Sequence, residues 1–266
     1  MKNKYWEFDN WLALAIGNSR LHWAWFKHDI LIENWHTPHL SVEVKPNQLP
    51  QDFLSSNLAK QYLNQPNLTQ LPVYLASVVS QQTKLWQNYT GLNLITLKDI
   101  DLKNIYSTMG IDRALAVWGA GETYSYPCLI IDGGTALTFT GVDRRKQLVG
   151  GAILPGLRSQ LTSLRQKTAA LPEINLPQKL PPRWALNTDK AIASGIIHTI
   201  TAGIHSYIVD WQQQFPNSKV VFTGGDANLL AQYLYLQFPE IAQKTIIDPN
   251  LVFLGIRLVY QHQREN

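Results

Sequence analysis

The stretch "LIIDGGTALTFTG" (Leu129–Gly141) joins an apolar run, a carboxylate at Asp132, a Gly-Gly-Thr turn and a second run in which apolar and polar residues alternate. A glycine-rich phosphate loop of the Walker or dinucleotide type leads into a helix, whose N-terminus helps to hold the anion. Here the alternating run predicts a strand instead. The turn of this hairpin binds either a phosphate and a cation, or nothing. Taken alone, the motif favours an ordinary hairpin, because short glycine-rich motifs are weak evidence.

A similar pattern occurs in "LALAIGNSRLHWAWF" (Leu12–Phe26), which aligns Gly17 with Gly134 at an offset close to half the chain length. Each copy heads a segment of strands and helices. The first is followed by the strands "VYLASVVS" and "LNLITL" around a short helix, and the second by a helix from Thr188 to about Phe215 and the strand "KVVFTGGD". The repeat predicts two related α/β domains that face each other across a cleft.

Composition and charge exclude several classes of protein. Of the 266 residues, 45% are hydrophobic and 16% are charged, which is typical of a globular chain and not of a disordered one. The net charge of +4 includes no dense basic patch beyond Arg144–Lys146, which we expect in a hairpin turn, so no nucleic-acid partner is expected. The single cysteine, Cys128, excludes an internal disulfide and favours a reducing, cytoplasmic location.

No membrane partner is expected either. Charges at Glu7 and Asp9 interrupt what would be the apolar region of a signal sequence. No segment approaches the roughly 20 apolar residues of a membrane span.

The segment "GIDRALAVWGAGETY" (Gly110–Tyr124) has helical spacing, with Asp112 and Arg113 at its start. Asp112 is either a general base kept ionised by the helix dipole or a simple helix cap. Arg113 is suited to a carboxylate or a phosphate. Taken alone, this motif favours the cap.

Three further stretches allow less specific predictions. "FTGGDANLL" (Phe222–Leu230) presents glycine backbone to a flat ligand such as a nucleobase, or is a strand–helix connection capped by Asp226. "HTPH" (His36–His39) contains a proline that prevents a helical metal-binding face, so we expect a surface loop. The proline-rich residues Leu171–Trp184 predict a loop or lid before the Thr188 helix.

Six motifs in order resemble those of the type III pantothenate kinase family: "AIGNSRLHWA", "GIDRALAVWGA", "IIDGGTALTFT", "GGAILPGL", "NTDKAIASGI" and "VFTGGDA". The resemblance runs from Leu12 to about Gly255 and is far more specific than any one motif. That family belongs to the acetate and sugar kinase, Hsc70 and actin superfamily. The resemblance implies an α/β fold of two ribonuclease-H-like (actin-like ATPase) domains, at residues 1–125 and 126–266, each opening with a phosphate-binding hairpin.

The resemblance also implies the activity, transfer of the γ-phosphate of ATP to pantothenate, and a role for each matching residue. Asp112 would be the base, and pantothenate would contact Tyr106, Gly110, Ile111, Arg113 and Thr188. Asp132 would hold a monovalent cation, K⁺ or NH₄⁺, and Thr135 would touch ATP. ATP with Mg²⁺ would bind the first hairpin at Ala15, Ile16, Gly17, Asn18, Ser19, Arg20, Leu21 and His22.

Known members are homodimers, which offers one explanation for a stripe of small residues on the Thr188 helix: Ala191, Gly195, Thr199, Ala202 and Gly203. The other explanation, equally compatible with the sequence, is tight packing within one subunit.

The first hairpin departs from the family pattern. That pattern has an aspartate where this chain has Ala15, a threonine where it has Ser19, and a basic residue at the end, where it has His22. In related kinases this carboxylate lies beside the Mg²⁺ of the nucleotide, so this chain lacks one expected contact to that ion. The loss leaves open two alternatives to an active pantothenate kinase: an ATP-binding regulatory or accessory protein with little turnover, and a kinase of another small alcohol. Tyr106 also stands closer to Gly110 than the family's tyrosine.

Overall fold

The structure is a computed structural model that describes residues 10–64, 71–168 and 171–265. Residues 1–9, whose charges argue against a signal sequence, lie outside the described residues. The chain divides into two compact units. Unit 1 comprises residues 1–101, 105–119 and 252–266, and unit 2 comprises residues 102–104 and 120–251.

Unit 1 is built on a five-stranded sheet in the order β3-β2-β1-β4-β5. Strands β1 and β2 form an antiparallel hairpin, β3 extends it antiparallel, and β4 and β5 add in parallel. The strands are Asn10–Ile16 (β1), Leu21–Lys27 (β2), Ile30–Thr37 (β3), Val73–Ser77 (β4) and Leu92–Leu94 (β5).

Unit 2 repeats this arrangement in the order β8-β7-β6-β9-β10. Strands β6, β7 and β8 are antiparallel neighbours, and β9 and β10 add in parallel on the other side of β6. The strands are Cys128–Gly133 (β6), Ala136–Val142 (β7), Leu148–Pro155 (β8), Lys219–Thr223 (β9) and Thr245–Ile247 (β10). The matching order and direction of all five strands confirm the internal repeat and the predicted fold class.

Eight α-helices are described in the two units, and the longest, Thr188–Gln214, lies in unit 2. They are Ser56–Asn64 (α1), Ser80–Lys84 (α2), Ile111–Tyr124 (α3), Leu157–Lys167 (α4), Thr188–Gln214 (α5), Ala227–Gln237 (α6), Pro239–Ala242 (α7) and Leu251–Glu265 (α8).

Aromatic stacking joins α8 to the sheet of unit 1. The buried ring of Trp11 in β1 stacks at 4.3 Å on Phe26 of β2 and, also at 4.3 Å, on Tyr260 of α8. Gly255 of α8 lies so close to α3 that a Cβ there would stand 2.3 Å from the carbonyl oxygen of Leu115. The last helix therefore supports α3, whose first turn carries Asp112.

In unit 2, side chains alternate along β6, so that Leu129 and Ile131 lie on one face of the sheet and Asp132 on the other. Leu129 and Ile131 are buried among residues of α5 and α6. A Cβ on Gly133, which shares their face, would lie 2.5 Å from Leu230 of α6. Asp132 therefore projects from the opposite face of the sheet.

Most of the elements predicted from sequence are confirmed. Both hairpins form, the Gly110 segment is helical from Ile111, and the Thr188 helix ends at Gln214. The basic residues near Arg145 lie in the β7–β8 turn, where Asp143 Oδ1 accepts hydrogen bonds from the backbone N–H groups of Arg145 and Gln147. Residues 171–184 contain neither helix nor strand, as their prolines predict.

Two expectations need correction. His36 lies within β3 rather than in a loop, because β3 extends to Thr37 just before the proline. Among the described residues, one helix is long and apolar enough to cross a membrane by length and composition alone: α5, with 27 residues and a window of mean hydropathy 1.3. Half of that window is buried inside the protein.

The domain boundaries expected at residues 1–125 and 126–266 differ from this division. The change from unit 1 to unit 2 falls after Gly119, inside α3, and residues 252–266 belong to unit 1.

Candidate active site

The first hairpin presents a cross-strand row of small and imidazole side chains. Ala15 at the end of β1 lies opposite His22 of β2, and His22 lies opposite His36 of β3. The two imidazole rings are 5.9 Å apart. Between Ile16 and Leu21, which are buried, Asn18, Ser19 and Arg20 are exposed. The turn thus has a side-chain amide, a hydroxyl and a guanidinium at its surface.

Two hydrogen bonds fix the turn. The Gly17 N–H donates to the carbonyl of Arg20 at 3.0 Å. The carbonyl of Gly17 is 2.8 Å from Nε2 of His39, which must be the donor since a carbonyl only accepts. Sequence reasoning missed His39, because its contact joins residues that are 22 apart in the chain.

His22 is kept in its neutral form in the free protein. Desolvation of the ring, followed by the charges of His36 and Arg20, lowers the pKa of His22 from its usual 6.5. The basic residue typical of the family at this position is therefore replaced by an imidazole whose pKa is lowered.

A second group of predicted residues gathers at the start of α3. Asp112 lies one residue inside the helix, and its Oδ1 accepts a hydrogen bond from the backbone N–H of Arg113 at 2.8 Å. A Cβ on Gly110 would stand 2.5 Å from that oxygen, so glycine leaves the space that the carboxylate occupies. Arg113 is buried and donates from Nη1 to the hydroxyl of half-exposed Tyr106 at 2.9 Å. Ile111, also predicted for substrate binding, is buried.

The pKa of Asp112 is raised above its ordinary 3.8, chiefly by desolvation. The hydrogen bond from the Arg113 N–H and the charge of its guanidinium oppose this effect. A carboxylate whose pKa is raised toward neutrality is a better proton acceptor than an ordinary aspartate. Asp112 also satisfies one backbone N–H of the first turn, as a helix cap does.

The second hairpin is tighter and more enclosed. Asp132 lies opposite Thr138 of β7 and beside Thr223 of β9. Gly224 follows Thr223 with φ of +87°, and a Cβ there would stand 2.2 Å from Asp132 Oδ1. The Gly134 N–H donates to the carbonyl of Ala136 at 3.0 Å and leaves Thr135 exposed at the tip. The carboxylate is therefore packed against glycine backbone.

Asp226 of the stretch Phe222–Leu230 is not a side-chain helix cap, which is one of the two alternatives for this stretch. It occupies the N-cap position of α6, but its side chain accepts no capping hydrogen bond. Instead Oδ1 accepts from Nε of Arg158 at 3.1 Å. Arg158 is a residue that sequence reasoning missed, because α4 meets α6 only in the folded protein.

Thr188 is the first residue of α5 and is exposed. The helix is capped by the preceding Asn187, whose side chain accepts from the N–H of Lys190 at 2.9 Å. The hydroxyl of Thr188 is therefore not needed as the cap.

Within the residues that the structure describes, no cluster of three or more His, Cys, Asp or Glu side chains could hold a metal ion. A divalent ion at this site would take its ligands mainly from substrate phosphates and water, as Mg²⁺ commonly does. Asp132 against the backbone of Gly133 and Gly224 offers oxygen ligands, which suit a hard cation.

Comparison with known proteins adds a family to this geometry. The profile of the type III pantothenate kinase family matches residues 11–210. A type III pantothenate kinase from Nostoc sp. is 46% identical over 94% of this chain and 94% of its own. Another from Synechocystis sp. is 43% identical over 96% of this chain and 91% of its own.

Solved structures agree on the fold. A protein from Campylobacter jejuni described as a Baf family transcriptional activator superimposes with a TM-score of 0.61 at 21% identity, covering 96% of this chain and 100% of its own. One from Sinorhizobium meliloti described as a 2-dehydro-3-deoxygalactonokinase gives 0.55 at 11% identity, covering 95% of this chain and 99% of its own.

Proposed function

The chain belongs to the type III pantothenate kinase family, and from this premise we propose how its residues carry out the phosphorylation of pantothenate by ATP, the first step of coenzyme A synthesis. The observation that carries the proposal is the arrangement at the start of α3, where a carboxylate of raised pKa stands beside a buried arginine. Nothing in the comparisons favours an accessory role or another alcohol.

Asp112 is the general base. It accepts the proton of the primary alcohol as the alcohol oxygen attacks the γ-phosphorus and ADP leaves with the bonding electrons. Phosphoryl transfer demands little covalent chemistry from the protein, so positioning and neutralisation of charge supply most of the acceleration. The space left by Gly110 allows the Asp112 side chain to hold its position.

Arg113 and Tyr106 bind the carboxylate of pantothenate. Their hydrogen bond of 2.9 Å orients the guanidinium, which is always charged and has the planar fork that suits a carboxylate. Gly110 and Ile111 line the same pocket, and the exposed hydroxyl of Thr188 gives pantothenate a further contact.

The two hairpins bind ATP. Residues 15–22 contact its phosphates through the exposed turn, and Thr135 contacts them at the tip of the second hairpin. Mg²⁺ bound with the nucleotide would neutralise phosphate charge. Asp132 would hold K⁺ or NH₄⁺.

The enzyme works as a cytoplasmic homodimer. In support, α5 carries an exposed stripe of small residues: Ala191, Gly195, Thr199 and Ala202. A Cβ added to Gly195 would have no atom within 4 Å. Such a stripe allows the backbone of a second helix to approach closely. It argues against the alternative that these residues pack tightly within one subunit.

The test is ATP-dependent phosphorylation of pantothenate by the purified protein, with and without K⁺ or NH₄⁺. Asp112→Asn should lower kcat by about 10²–10⁴-fold, because an amide keeps the shape but cannot take the proton. Equilibrium binding of ATP should be unchanged. Asp52→Asn, at an exposed carboxylate of unit 1, is the matched control and should behave as wild type. A variant at Asp112 that retains more than half of the wild-type rate would show that this carboxylate is only a cap.

The raised pKa also gives a pH profile and a stability effect. The rate should fall on acidification at a higher pH than an ordinary aspartate would cause, since the base must be ionised. The neutral carboxyl is favoured in the folded state, so its stabilising effect is complete below pH 3.8 and is lost as the pH rises through the raised pKa. At pH 7 the Asn variant should therefore unfold at the same temperature as wild type or at a higher one.

A further inference from the structure

The contact between Arg158 and Asp226 lies beside the second hairpin and is used by none of the roles above. Asp226 is nearly buried, with a side chain 9% exposed, whereas that of Arg158 is 71% exposed. An ion pair with one exposed partner contributes little to stability, on the order of 0–1 kcal/mol. A buried carboxylate is nevertheless costly without a partner. The pairing with Asp226 thus accounts for the position of Nε of Arg158, but not for the rest of the guanidinium, since the Arg158 side chain is largely exposed.

Helix α4 is fixed against the turn of the second hairpin. The carbonyl of Thr135 accepts hydrogen bonds from the Gly156 N–H at 2.9 Å and from the hydroxyl of Ser159 at 2.6 Å. A Cβ on Gly156 would stand 2.1 Å from the carbonyl oxygen of Gly134. Arg158 lies between these two contact residues, so its position relative to the turn is set by backbone contacts.

Asp226 is fixed to the same hairpin from the other side. Its backbone N–H donates to the carbonyl of Gly133 at 2.8 Å. Its carboxylate accepts a hydrogen bond from Nε of Arg158, the inner nitrogen of the guanidinium. Among the described residues, the structure gives no hydrogen bond from the two terminal nitrogens of Arg158. Their donors have the geometry that binds phosphate oxygens in pairs.

We propose that Arg158, oriented by Asp226, is a further ATP-binding residue whose terminal nitrogens bind phosphate oxygens of the nucleotide at the second hairpin. The inference rests on the proposed binding of ATP there. It supplies a positive charge beside a turn where Asp132 and the nucleotide are both negative. Asp226 is the positioning residue, because its carboxylate accepts the hydrogen bond of Nε and leaves the two terminal nitrogens of Arg158 for the nucleotide.

The experiment measures equilibrium binding of ATP and of adenosine, together with KM for ATP and for pantothenate. Arg158→Ala should weaken ATP binding about tenfold, or about 1.4 kcal/mol, and leave adenosine binding and the KM for pantothenate unchanged. Arg158→Lys keeps the charge but not the fork and should lose less. Arg165→Ala is the matched control, since Arg165 is an exposed arginine of α4 paired with Glu173.

Asp226→Asn tests the positioning role. It should raise the KM for ATP by a smaller factor than Arg158→Ala, with the KM for pantothenate unchanged. The double variant should bind ATP no more weakly than Arg158→Ala alone, because both substitutions act on the same interaction, that of Arg158 with the nucleotide.

Equal ATP affinity in the wild type, Arg158→Ala and Arg158→Lys would overturn the inference. So would an equal loss of adenosine binding, which would mean a structural role or a contact with the base. Failure of the proposed function itself would be visible beforehand, as a wild-type protein that neither binds ATP nor phosphorylates pantothenate.

Discussion

The two hairpins occupy the same place in two sheets of the same strand order, yet one has an alanine where the other has a carboxylate. Ala15 and Asp132 are equivalent by register, each one residue before the end of the first strand of its hairpin. Facing Ala15 is His22, whereas Asp132 faces Thr138. The backbone frame has been kept in both copies while the acid remains in one.

The surroundings of the two turns differ in the same sense. The first turn, Gly17–Arg20, is exposed at its tip and held by one imidazole, that of His39. The second is enclosed by Gly224 on one side and by the start of α4 on the other. The first hairpin has thus lost its acid and carries titratable nitrogen groups, while the second keeps a fixed carboxylate in a rigid frame.

Removing the remaining acid should have the largest effect. We expect Asp132→Ala to lower kcat on the order of 10²-fold, because preorganised charge at the phosphates is lost. The residual activity should no longer depend on K⁺ or NH₄⁺. The check is the rate of pantothenate phosphorylation across a titration of each cation, alongside thermal unfolding. Unchanged activity with an unchanged cation requirement would move the cation site elsewhere and remove the contrast between the hairpins.

Restoring the missing acid should have a smaller effect. Ala15→Asp should tighten the apparent affinity for Mg-ATP about tenfold, through a charge-assisted contact with a metal-bound water. The competing effect is repulsion between the new carboxylate and the phosphates. Titration of Mg²⁺ and ATP at fixed pantothenate and K⁺ separates the two. Weaker or unchanged binding would mean that the first hairpin has re-formed around alanine.

Replacing the imidazole should have the smallest effect. His22 has a pKa below 6.5, so in the free protein it is neutral above that pH and gains charge on acidification. Wild-type ATP affinity should rise as the pH falls below 6.5, because protonated imidazole attracts phosphate. Desolvation of the ring, followed by the electrostatic effects of His36 and Arg20, lowers this pKa and so limits the protonation of His22.

His22→Lys should make the affinity a few-fold higher at pH 8 and flatten its pH dependence, since lysine stays charged throughout this range. His36→Gln is the control at the neighbouring imidazole and should keep a pH dependence. Parallel pH curves for the wild type and His22→Lys would show that His22 does not meet the nucleotide.

The periodic elements and the repeat were accessible from sequence, because they depend on local patterns. The alternation around Asp132 and Ala15 predicts both hairpins, and the ordered motifs identify the family. The contacts that complete the sites were not accessible. His39 reaches Gly17 across a strand, and Arg158 reaches Asp226 from another helix. Neither pair has a spacing that a sequence pattern would single out, so only tertiary packing brings them together.

The stacking of Tyr260 on Trp11 has a consequence for the order in which the protein is made. Residues from the two extremes of the described chain meet in one core, so unit 1 cannot complete its packing until α8 has been synthesised. Unit 2 is nearly continuous in sequence and can close while α8 is still inside the ribosome. This reverses the usual progression in which the N-terminal domain folds first during synthesis. Strand β1 pairs with β2 early in synthesis, but its Trp11 stacks on Tyr260 only after α8 has been made.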